Sequence, residues 1–520
     1  MDLSFLGGAS TVTGSRFLLQ TERATVLIDC GMFQGGPNEQ MRNRIPLGFD
    51  PKALDAILIT HAHLDHCGLL PVAVKHGYAG PIYLTGATAE LVTLVLLDSG
   101  RLQEEFAKRQ DRWARRDPAR HATEEQKAAD TFHVVLETAH GNGDDTTVVD
   151  HDVEAELRAQ PAEIESILEE PLYTTVEAAA VPPLFRSVKY DAEREVAPGV
   201  HATFLDAGHI LGSAMIRLRI QEREGGPERT IVFSGDLGRP GTPILRDPTV
   251  LSLADYVCVE STYGGREHDP EAEAVQALAD AVTEVAKSNG VLLVPSFAIG
   301  RTQEIVWELD RLIDAGKIPL LPLYLDSPMA SKASDIYRRH PETYDAETKA
   351  LLDKGGSPLD YPDQRITNDV RESMAISRTA RPYMIVASNG MLTGGRVVSH
   401  LRDLIGDPVA TILFVGYQGV GTLGSHLQAG ATTVKIDGAV HQVRCRIRSI
   451  SGFSAHADES ELLDWLRNFG AGKKAGDAGF PKTVFLVHGD PEAQQAMEPK
   501  VAALGFTTHV PHWRERVTLD

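Results

Sequence analysis

The chain has 520 residues, of which 42% are hydrophobic and 24% charged, and its 51 basic and 72 acidic side chains give a formal net charge of −21. This length predicts two to four domains, at about 100 to 200 residues per domain. No apolar run reaches the roughly 18 residues of a membrane helix. The acidic balance argues against unspecific attraction to polyanions, but it allows nucleic acid to bind in a local basic cleft.

The N-terminus and the cysteines predict a cytoplasmic protein without membrane contact. Residues 1–5 lack the basic region and the cleavage signature of a secretory peptide. The four cysteines lie far apart and form no CxxC pair, which indicates neither a disulfide framework nor a thiolate zinc site.

Seven short, mostly β-branched apolar runs each end in a polar or glycine-bearing turn. Buried strands of an α/β fold have this pattern, and their carboxyl ends are where such folds place chemistry. The runs are residues 26–28, 57–59, 231–233, 257–259, 291–294, 384–387 and 484–487. We therefore expect the polar groups that follow these runs to converge.

Helical periodicity fills several of the intervals between the runs. One helix is expected around residues 305–313, closed by Gly316, and another around residues 462–469, closed by Gly470. A longer helix is expected from Ala89 towards Trp113. The segment at about 112–182 is rich in acid, and we interpret it as a solvated insertion; screening of the cleft or self-association is the alternative hypothesis.

The run THAHLDH at residues 60–66 follows the apolar stretch 56–59 directly and predicts a metal site. In an extended chain His61, His63 and Asp65 project to one side, while His66 turns to reach a second position. Imidazoles and a carboxylate are ligands that suit zinc. A histidine-rich surface loop is the alternative.

Three further residues extend this candidate site. His209 lies in a glycine-flanked turn and Asp236 follows a predicted strand. A single histidine is more often a structural group, but two zinc ions need about seven or eight ligands, and one carboxylate can bridge both ions. Asp29 also follows a strand, ahead of the ligand run, and is predicted to orient a ligand histidine.

In this order, the motifs resemble those of the metallo-β-lactamase superfamily. More narrowly, the chain resembles the β-CASP branch, which includes the cleavage and polyadenylation nuclease and bacterial RNA-processing enzymes. Motifs A, B and C of that branch match Glu260 in VESTYG, His456 in GFSAH and His488 in LVHG. The resemblance covers nearly the whole chain. It implies an α/β fold, an αββα sandwich formed by residues 1–256 and 453–520, with an inserted αβ cap at 257–452.

The resemblance also implies two zinc ions and a set of catalytic residues. The ligands of one ion would be His61, His63, His209 and Asp236. The ligands of the other would be Asp65, His66, Asp236 and His488. Two such ions can share a hydroxide that attacks phosphorus in line. His456 would then protonate the departing 3′ oxygen, with Glu260 fixing its ring. The products would carry 5′-phosphate and 3′-hydroxyl ends.

The histidine at motif C favours RNA, because DNA-repair members of the β-CASP family usually carry an aliphatic residue there. We therefore expect a zinc-dependent ribonuclease that cuts single-stranded RNA internally, with trimming from the 5′ end as a second expected mode and a homodimer as an expected assembly. A DNA nuclease, a small-ester or lactam hydrolase, and a non-catalytic RNA-processing subunit are the alternatives. The presence of every ligand counts against the last.

Two loops of the predicted cap have features that suit phosphate binding. In the first, Arg301 stands at the expected start of a helix. The second offers small residues, backbone amides and a guanidinium; its candidate substrate-binding residues are Ser388, Asn389, Gly390, Gly394, Gly395 and Arg396. Ordinary turn chemistry is the alternative for both loops. His400 and His426 of the cap are expected to be structural or to contact RNA.

Overall fold

The computed structural model describes residues 1–116, 118–140, 170–223, 225–416, 418–419 and 421–520. Within these ranges the strands form two large mixed sheets, one parallel sheet and a separate hairpin. All seven apolar runs that the sequence predicts as strands lie at least partly in strands.

The first sheet has seven strands among the described residues, in the order β22-β1-β2-β3-β4-β5-β6. Its strands are β1 (Asp2–Gly7), β2 (Arg16–Gln20), β3 (Thr25–Ile28), β4 (Ala56–Leu58), β5 (Ile82–Thr85), β6 (Phe185–Val188) and β22 (Glu515–Thr518). Strands β3 to β6 run parallel, so their carboxyl ends share one edge of the sheet.

The second sheet, also of seven strands within the described ranges, has the order β21-β20-β11-β10-β9-β8-β7. Its strands are β7 (Arg194–Ala197), β8 (Val200–Asp206), β9 (Ala214–Gln221), β10 (Glu228–Phe233), β11 (Tyr256–Glu260), β20 (Thr483–Val487) and β21 (Thr508–His509). Strands β10, β11 and β20 are parallel neighbours.

The inner faces of these two sheets pack on each other through a buried aromatic core. Phe5 and Phe17 of the first sheet meet Phe485 and Phe233 of the second, with ring centroids 5.2 and 5.7 Å apart. The outer face of each sheet is covered by helices. The predicted αββα sandwich is thus confirmed.

The third sheet belongs to the predicted cap and consists of parallel strands with helices on both faces. Its order is β14-β13-β15-β12-β16-β19. The strands are β12 (Val291–Pro295), β13 (Leu323–Asp326), β14 (Gln364–Ile366), β15 (Tyr383–Ala387), β16 (Thr411–Phe414) and β19 (Arg446–Ser449), and the separate hairpin is β17 (Thr433–Ile436) with β18 (Ala439–Gln442). Along β12, Leu292 and Val294 pack in the core on one face of the sheet, and Val291 and Leu293 pack in the core on the other face. Because both faces are buried, the strand is apolar at every position.

The helices of the first part of the chain are α1 (Pro37–Met41), α2 (Leu64–Cys67), α3 (Leu70–Lys75), α4 (Gly86–Arg116), α5 (Pro118–His140) and α6 (Thr175–Ala179). Those that follow are α7 (Glu271–Ser288), α8 (Arg301–Asp314), α9 (Pro328–Arg339), α10 (Ala346–Asp353), α11 (Val370–Ala375), α12 (Arg396–Leu404), α13 (Leu423–Gln428), α14 (Glu459–Arg467) and α15 (Pro491–Ala503). Single 3-10 turns lie at Pro51–Ala53, Pro182–Leu184, Pro341–Thr343, Ile376–Arg378 and Asn468–Gly470.

The predicted acidic insertion falls largely outside the described residues, since most of its acids lie within 141–169. Its described beginning is the end of α4 and the helix α5, and α5 packs on α1 through Phe132 and Leu136. The predicted role of this segment therefore stays a prediction. No helix in the described part of the chain combines the length and apolar character needed to span a bilayer.

The domain division predicted from the sequence also stays a prediction. Strand β11 begins next to the expected boundary at 257 and pairs with β20 in the second sheet. The chain then leaves for the cap through residues 261–270 and returns through residues 450–458. These two connectors, which we call the outgoing and returning connectors, lie beside the candidate site.

The aromatic core between the two large sheets predicts a large loss of stability for Phe485→Ala. Phe485 is 2% exposed, and its removal leaves a cavity that Phe5 and Tyr256 line. We expect the free energy of unfolding, measured by chemical denaturation, to fall by about 3 to 5 kcal/mol. Val440→Ala, at a side chain 72% exposed in the β17–β18 hairpin, serves as control, with an expected change within about 0.5 kcal/mol. Equal effects of the two changes would contradict the packing described.

Candidate metal centre

Four side chains from three separate stretches of the chain form a first cluster. Each of His61, His63, His209 and Asp236 offers one atom, and these atoms lie within 4.8 Å of one another. The Nδ1 atom of His63 is 3.1 Å from His61 Nε2 and 3.2 Å from His209 Nε2. Three ring nitrogens that face one another this closely present their lone pairs to a common point, as ligands of one cation do.

A second cluster lies beside the first and consists of Asp65, His66 and His488. His66 Nε2 and His488 Nε2 are 3.2 Å apart, and His488 Nε2 is 3.7 Å from Asp65 Oδ2. His66 and His488 are separated by 422 positions in the chain. The two clusters contain the ligand sets that the sequence predicts, with Asp236 between them.

The Asp236 carboxylate joins the two clusters. Its Oδ2 atom is 3.4 Å from His61 Nε2 and 3.6 Å from His209 Nε2. Its Oδ1 atom is 3.2 Å from His66 Nε2 and 3.5 Å from His488 Nδ1. Oδ1 is buried and accepts no hydrogen bond from any residue that the structure describes. A buried carboxylate oxygen is costly without compensation, so this environment fits a cation on each side of Asp236.

The run of residues 60–66 differs from the extended segment that the sequence predicts. The chain turns at His63 into α2, with His66 and Cys67 both donating main-chain hydrogen bonds to the His63 carbonyl. Asp65 therefore lies with His66 in the second cluster, and the expectation that it shares a face with His61 and His63 is wrong. The helical turn lets a single short run supply ligands to both clusters.

Asp29, which the sequence predicts to orient a ligand histidine, bonds His66 directly and is linked to His61 through Thr60. Its Oδ2 atom accepts a hydrogen bond from His66 Nδ1 at 2.8 Å and another from the Thr60 hydroxyl at 2.8 Å. Because that hydroxyl donates to Asp29, it accepts from His61 Nδ1 at 3.1 Å. When these rings are neutral, the proton is on Nδ1 and Nε2 presents a lone pair towards the site.

Main-chain and hydroxyl oxygens orient the remaining rings. His209 Nδ1 donates to the Ala455 carbonyl at 3.1 Å, and His488 Nδ1 lies 3.2 Å from the Thr262 hydroxyl. His488 follows β20 with a φ of 49°, and Asp29 follows β3 with a φ of 57°. Left-handed backbone is uncommon outside glycine, and residues held in it cluster at functional sites.

Burial keeps the rings of the first cluster neutral. It lowers the pKa of His61 to about 3 and that of His63 to about 4. Burial and the neighbouring His456 hold the pKa of His209 well below its usual range. These imidazoles therefore present lone pairs at neutral pH, which is the state that binds a metal.

A histidine–glutamate pair stands next to the two clusters. His456 Nδ1 is 3.1 and 3.2 Å from the two carboxylate oxygens of Glu260, and the His456 ring is 4.6 Å from that of His209. Glu260 is fully buried and also accepts from the Leu237 main-chain N–H at 2.7 Å. Burial alone lowers the pKa of His456, but the Glu260, Asp236 and Asp65 carboxylates together raise it to about 9.

The two predicted phosphate-binding loops of the cap, residues 295–301 and 388–396, lie over the turn that contains His209, which we call the ligand loop. Gly300 of the first loop approaches Ile210, the neighbour of His209, so closely that a Cβ would be 2.8 Å from its side chain. Gly390 of the second loop packs on the ring of Phe297 in the first. Both loops follow carboxyl ends of the cap sheet, and among the described residues the second loop is joined to the ligand histidines only through the first.

Both arginines of these loops are paired with acids of the cap. Arg301 is 5% exposed and contacts the Glu304 carboxylate. Arg396 donates to the buried Asp326 at 2.7 Å, and His400 contacts the same carboxylate at 2.6 Å, a structural role for that histidine. A phosphate contact by either guanidinium stays a prediction.

Sequence reasoning missed three residues that hold the site together. Thr60 and Thr262 orient His61 and His488, and His268 contacts the main chain of His456. Thr60 directly precedes the ligand run, which is a signal for a hydroxyl that bonds a ligand. His268 looks like an isolated histidine, and its contact spans 188 positions.

Comparison with known proteins agrees with this architecture. Residues 12–154 match the metallo-beta-lactamase superfamily, residues 302–427 the Beta-Casp domain, and residues 440–511 the Zn-dependent metallo-hydrolase RNA specificity domain. Ribonuclease TTHA0252 of Thermus thermophilus is 32% identical over 98% of both chains. The chain belongs to the β-CASP ribonuclease family of the metallo-β-lactamase superfamily. It is accordingly a metal-dependent hydrolase.

Two archaeal members of this family are also similar to the chain. The transcription termination factor FttA of Methanosarcina mazei is 29% identical over 94% of this chain and 67% of its own length. FttA of Pyrococcus horikoshii is 28% identical over 99% of this chain and 70% of its own length. The relatives of this chain thus include a protein named as a ribonuclease and proteins named as transcription termination factors.

The bonds of Asp29 predict that Asp29→Asn weakens metal binding at both clusters. The asparagine amide keeps one acceptor oxygen, but its NH₂ group cannot accept a hydrogen bond. The side chain can therefore no longer accept from both His66 and Thr60 and fix the rings of His66 and His61. We expect the metal affinity, measured by competition with a chromophoric chelator, to fall by about 10- to 100-fold. Asp255→Asn is the control, because Asp255 accepts a main-chain N–H from Thr230 at 2.7 Å and contacts no ligand histidine. Native affinity in Asp29→Asn would refute the orienting role.

Proposed function

We propose that this β-CASP enzyme is a zinc-dependent ribonuclease that hydrolyses phosphodiester bonds of single-stranded RNA. The observation that carries the proposal is the Asp236 carboxylate between two histidine clusters, with the His456–Glu260 pair beside it. A lactam or small-ester hydrolase has no need of that pair or of the cap. The proposal therefore rests on the proton donor as much as on the metal ligands.

The donor set supports two zinc ions for each chain. Five imidazoles and two carboxylates are available, and zinc favours nitrogen ligands with an oxygen where a position for water must remain. We assign His61, His63, His209 and Asp236 to one ion and Asp65, His66, Asp236 and His488 to the other. Bound there, the ions would supply a water nucleophile at neutral pH and offset charge on the phosphate.

We assign the protonation of the leaving 3′ oxygen to His456. Burial lowers the pKa of His456, but its bond to Glu260 raises it, which favours a ring that has a proton to give from Nε2 while Nδ1 stays bonded to Glu260. The ring is 21% exposed, whereas Glu260 is fully buried, so the substrate side of the pair is the histidine. Hydrolysis by water leaves 5′-phosphate and 3′-hydroxyl ends.

The names of the relatives and the position of the cap support RNA as the substrate. The relatives at 28–32% identity are named a ribonuclease and transcription termination factors. The loop that ends at Gly300 lies directly on the ligand loop, and such a roof favours a thin single strand over a duplex. Endonucleolytic cutting, 5′-end trimming, a homodimer and a cytoplasmic location stay predictions.

The role of His456 predicts that His456→Ala loses cleavage without losing metal. We expect kcat on a 5′-labelled single-stranded RNA to fall by about 10² to 10⁴-fold. The zinc content should remain that of the native protein, because His456 is outside both ligand sets. Product ends are read by mobility before and after phosphatase treatment, with DNA of the same sequence in parallel.

The matched control is His509→Ala, which removes a histidine of another histidine–glutamate pair. His509 Nε2 lies 2.8 Å from the Glu515 carboxylate, between the edge strand β21 of one sheet and the edge strand β22 of the other. This variant should cleave RNA at the native rate. Equal rates for His456→Ala and the native protein would refute the proton-donor role, and lactam hydrolysis without RNA cleavage would refute the proposed function.

A further inference from the structure

The outgoing and returning connectors between the sandwich and the cap run side by side. The outgoing connector starts directly after Glu260, and the returning connector contains His456. Gly452 of the returning connector approaches the other so closely that a Cβ would be 2.9 Å from the Asp269 carbonyl and 2.6 Å from Ala274. The two members of the histidine–glutamate pair are therefore attached to the two segments that carry the cap.

A row of hydrogen bonds joins the connectors. At the cap end, Asp269 accepts from the main chain and the hydroxyl of Ser451 at 3.1 and 2.7 Å, and its own N–H donates to that hydroxyl. At the sandwich end, the Gly265 N–H donates at 2.6 Å to the side chain of Glu459, which begins α14 directly after the returning connector. These bonds hold the two connectors side by side, and we call the pair the connector strip.

His268 lies in the middle of this strip and contacts His456 directly. Its Nε2 atom donates to the His456 main-chain carbonyl at 3.0 Å, and its own N–H donates to Asp458 at 3.2 Å. The His268 ring packs against Tyr263 with centroids 4.2 Å apart, and Tyr263 in turn lies 6.2 Å from the His456 ring. His456 is therefore fixed from its backbone by one histidine and from its side chain by Glu260.

The protonation of the His268 ring is set by this contact. A carbonyl only accepts, so Nε2 must carry the proton, while Nδ1 is buried and has no hydrogen-bond partner among the described residues. Burial, with the nearby Arg239, lowers the pKa of His268 to about 4, and the ring is neutral. Within the part of the chain that the structure describes, the ring nitrogens of His268 therefore make one hydrogen bond, to the His456 carbonyl.

We propose that His268 is a positioning residue that sets the orientation of His456 for protonation of the leaving group. This inference rests on the proposed function. Because Nδ1 of His456 is fixed by Glu260, a shift of its main chain rotates the ring about that bond and moves Nε2 away from the departing oxygen. Small displacements of a catalytic group lower kcat strongly without changing substrate binding.

The inference is tested by comparing three substitutions of His268 in the full-length zinc-loaded enzyme. His268→Phe keeps the packing on Tyr263 and removes the donor, and we expect kcat on single-stranded RNA to fall roughly tenfold at unchanged KM. His268→Gln can still donate to the carbonyl and should recover part of that loss. The asparagine side chain of His268→Asn is too short to reach the His456 carbonyl, so this variant should resemble His268→Phe. The comparison of Gln with Asn distinguishes loss of the hydrogen bond from a general folding defect.

Two further variants distinguish positioning from general loosening of the connectors. Asp269→Ala removes the Ser451 bonds on the same strip but leaves the His456 contact, and it should keep the native kcat. In a His456→Ala background, His268→Phe should cause no further loss, because the group that it positions is absent. Zinc content, measured on each variant, should stay at the native value.

Several results would overturn the inference. An unchanged kcat in His268→Phe, an equal loss in Asp269→Ala, or an added loss in the His456→Ala background would each show that His268 does not act through His456. An enzyme that cleaves RNA normally in all His268 variants refutes the inference and leaves the proposed function standing. A native protein that cleaves no RNA refutes both.

Discussion

The site depends on one carboxylate that is placed where it cannot be solvated. Asp236 follows β10 and lies between imidazoles of two clusters, with an oxygen directed at each. A buried charge of this kind is tolerated when cations or protonated neighbours compensate it. Burial holds three of the surrounding rings neutral. At the fourth ring, burial lowers the pKa of His66, but the Asp236 and Asp29 carboxylates raise it well above its ordinary value. Cations bound in both clusters would take the place of that proton and compensate Asp236 from both sides. The two-sided position of Asp236 therefore links the clusters into one centre.

The fold produces this arrangement through the directions of its strands. Parallel strands β3 and β4 in one sheet, and β10, β11 and β20 in the other, end at a common edge of the sandwich. Each polar group of the centre follows one of these ends or a nearby turn. The aromatic core between the sheets holds the two edges at a fixed separation. The cap is attached through two paired connectors, of which the outgoing one begins directly after Glu260 and the returning one contains His456. The placement of the cap and the placement of this pair therefore depend on the same backbone.

Much of this organisation follows from local sequence, and the rest from contacts that local sequence does not encode. The seven apolar runs predicted strands because a buried parallel strand is apolar on both faces. The helical turn at Leu64 was missed because periodicity over seven residues does not separate a strand from a turn. Arg301 looked free to meet phosphate, since the buried Glu304 beside it reads as an ordinary helix residue. His268 contacts a residue 188 positions away, a distance over which no spacing rule applies.

The most direct test of the account is the location of the metals in crystals of the purified protein. Anomalous diffraction recorded on both sides of the zinc absorption edge should give two peaks about 3.5 to 4 Å apart. One should lie among His61, His63 and His209, the other between His66 and His488, and Asp236 should touch both. A single peak, peaks elsewhere in the chain, or a protein that cleaves RNA with no anomalous signal would contradict the account.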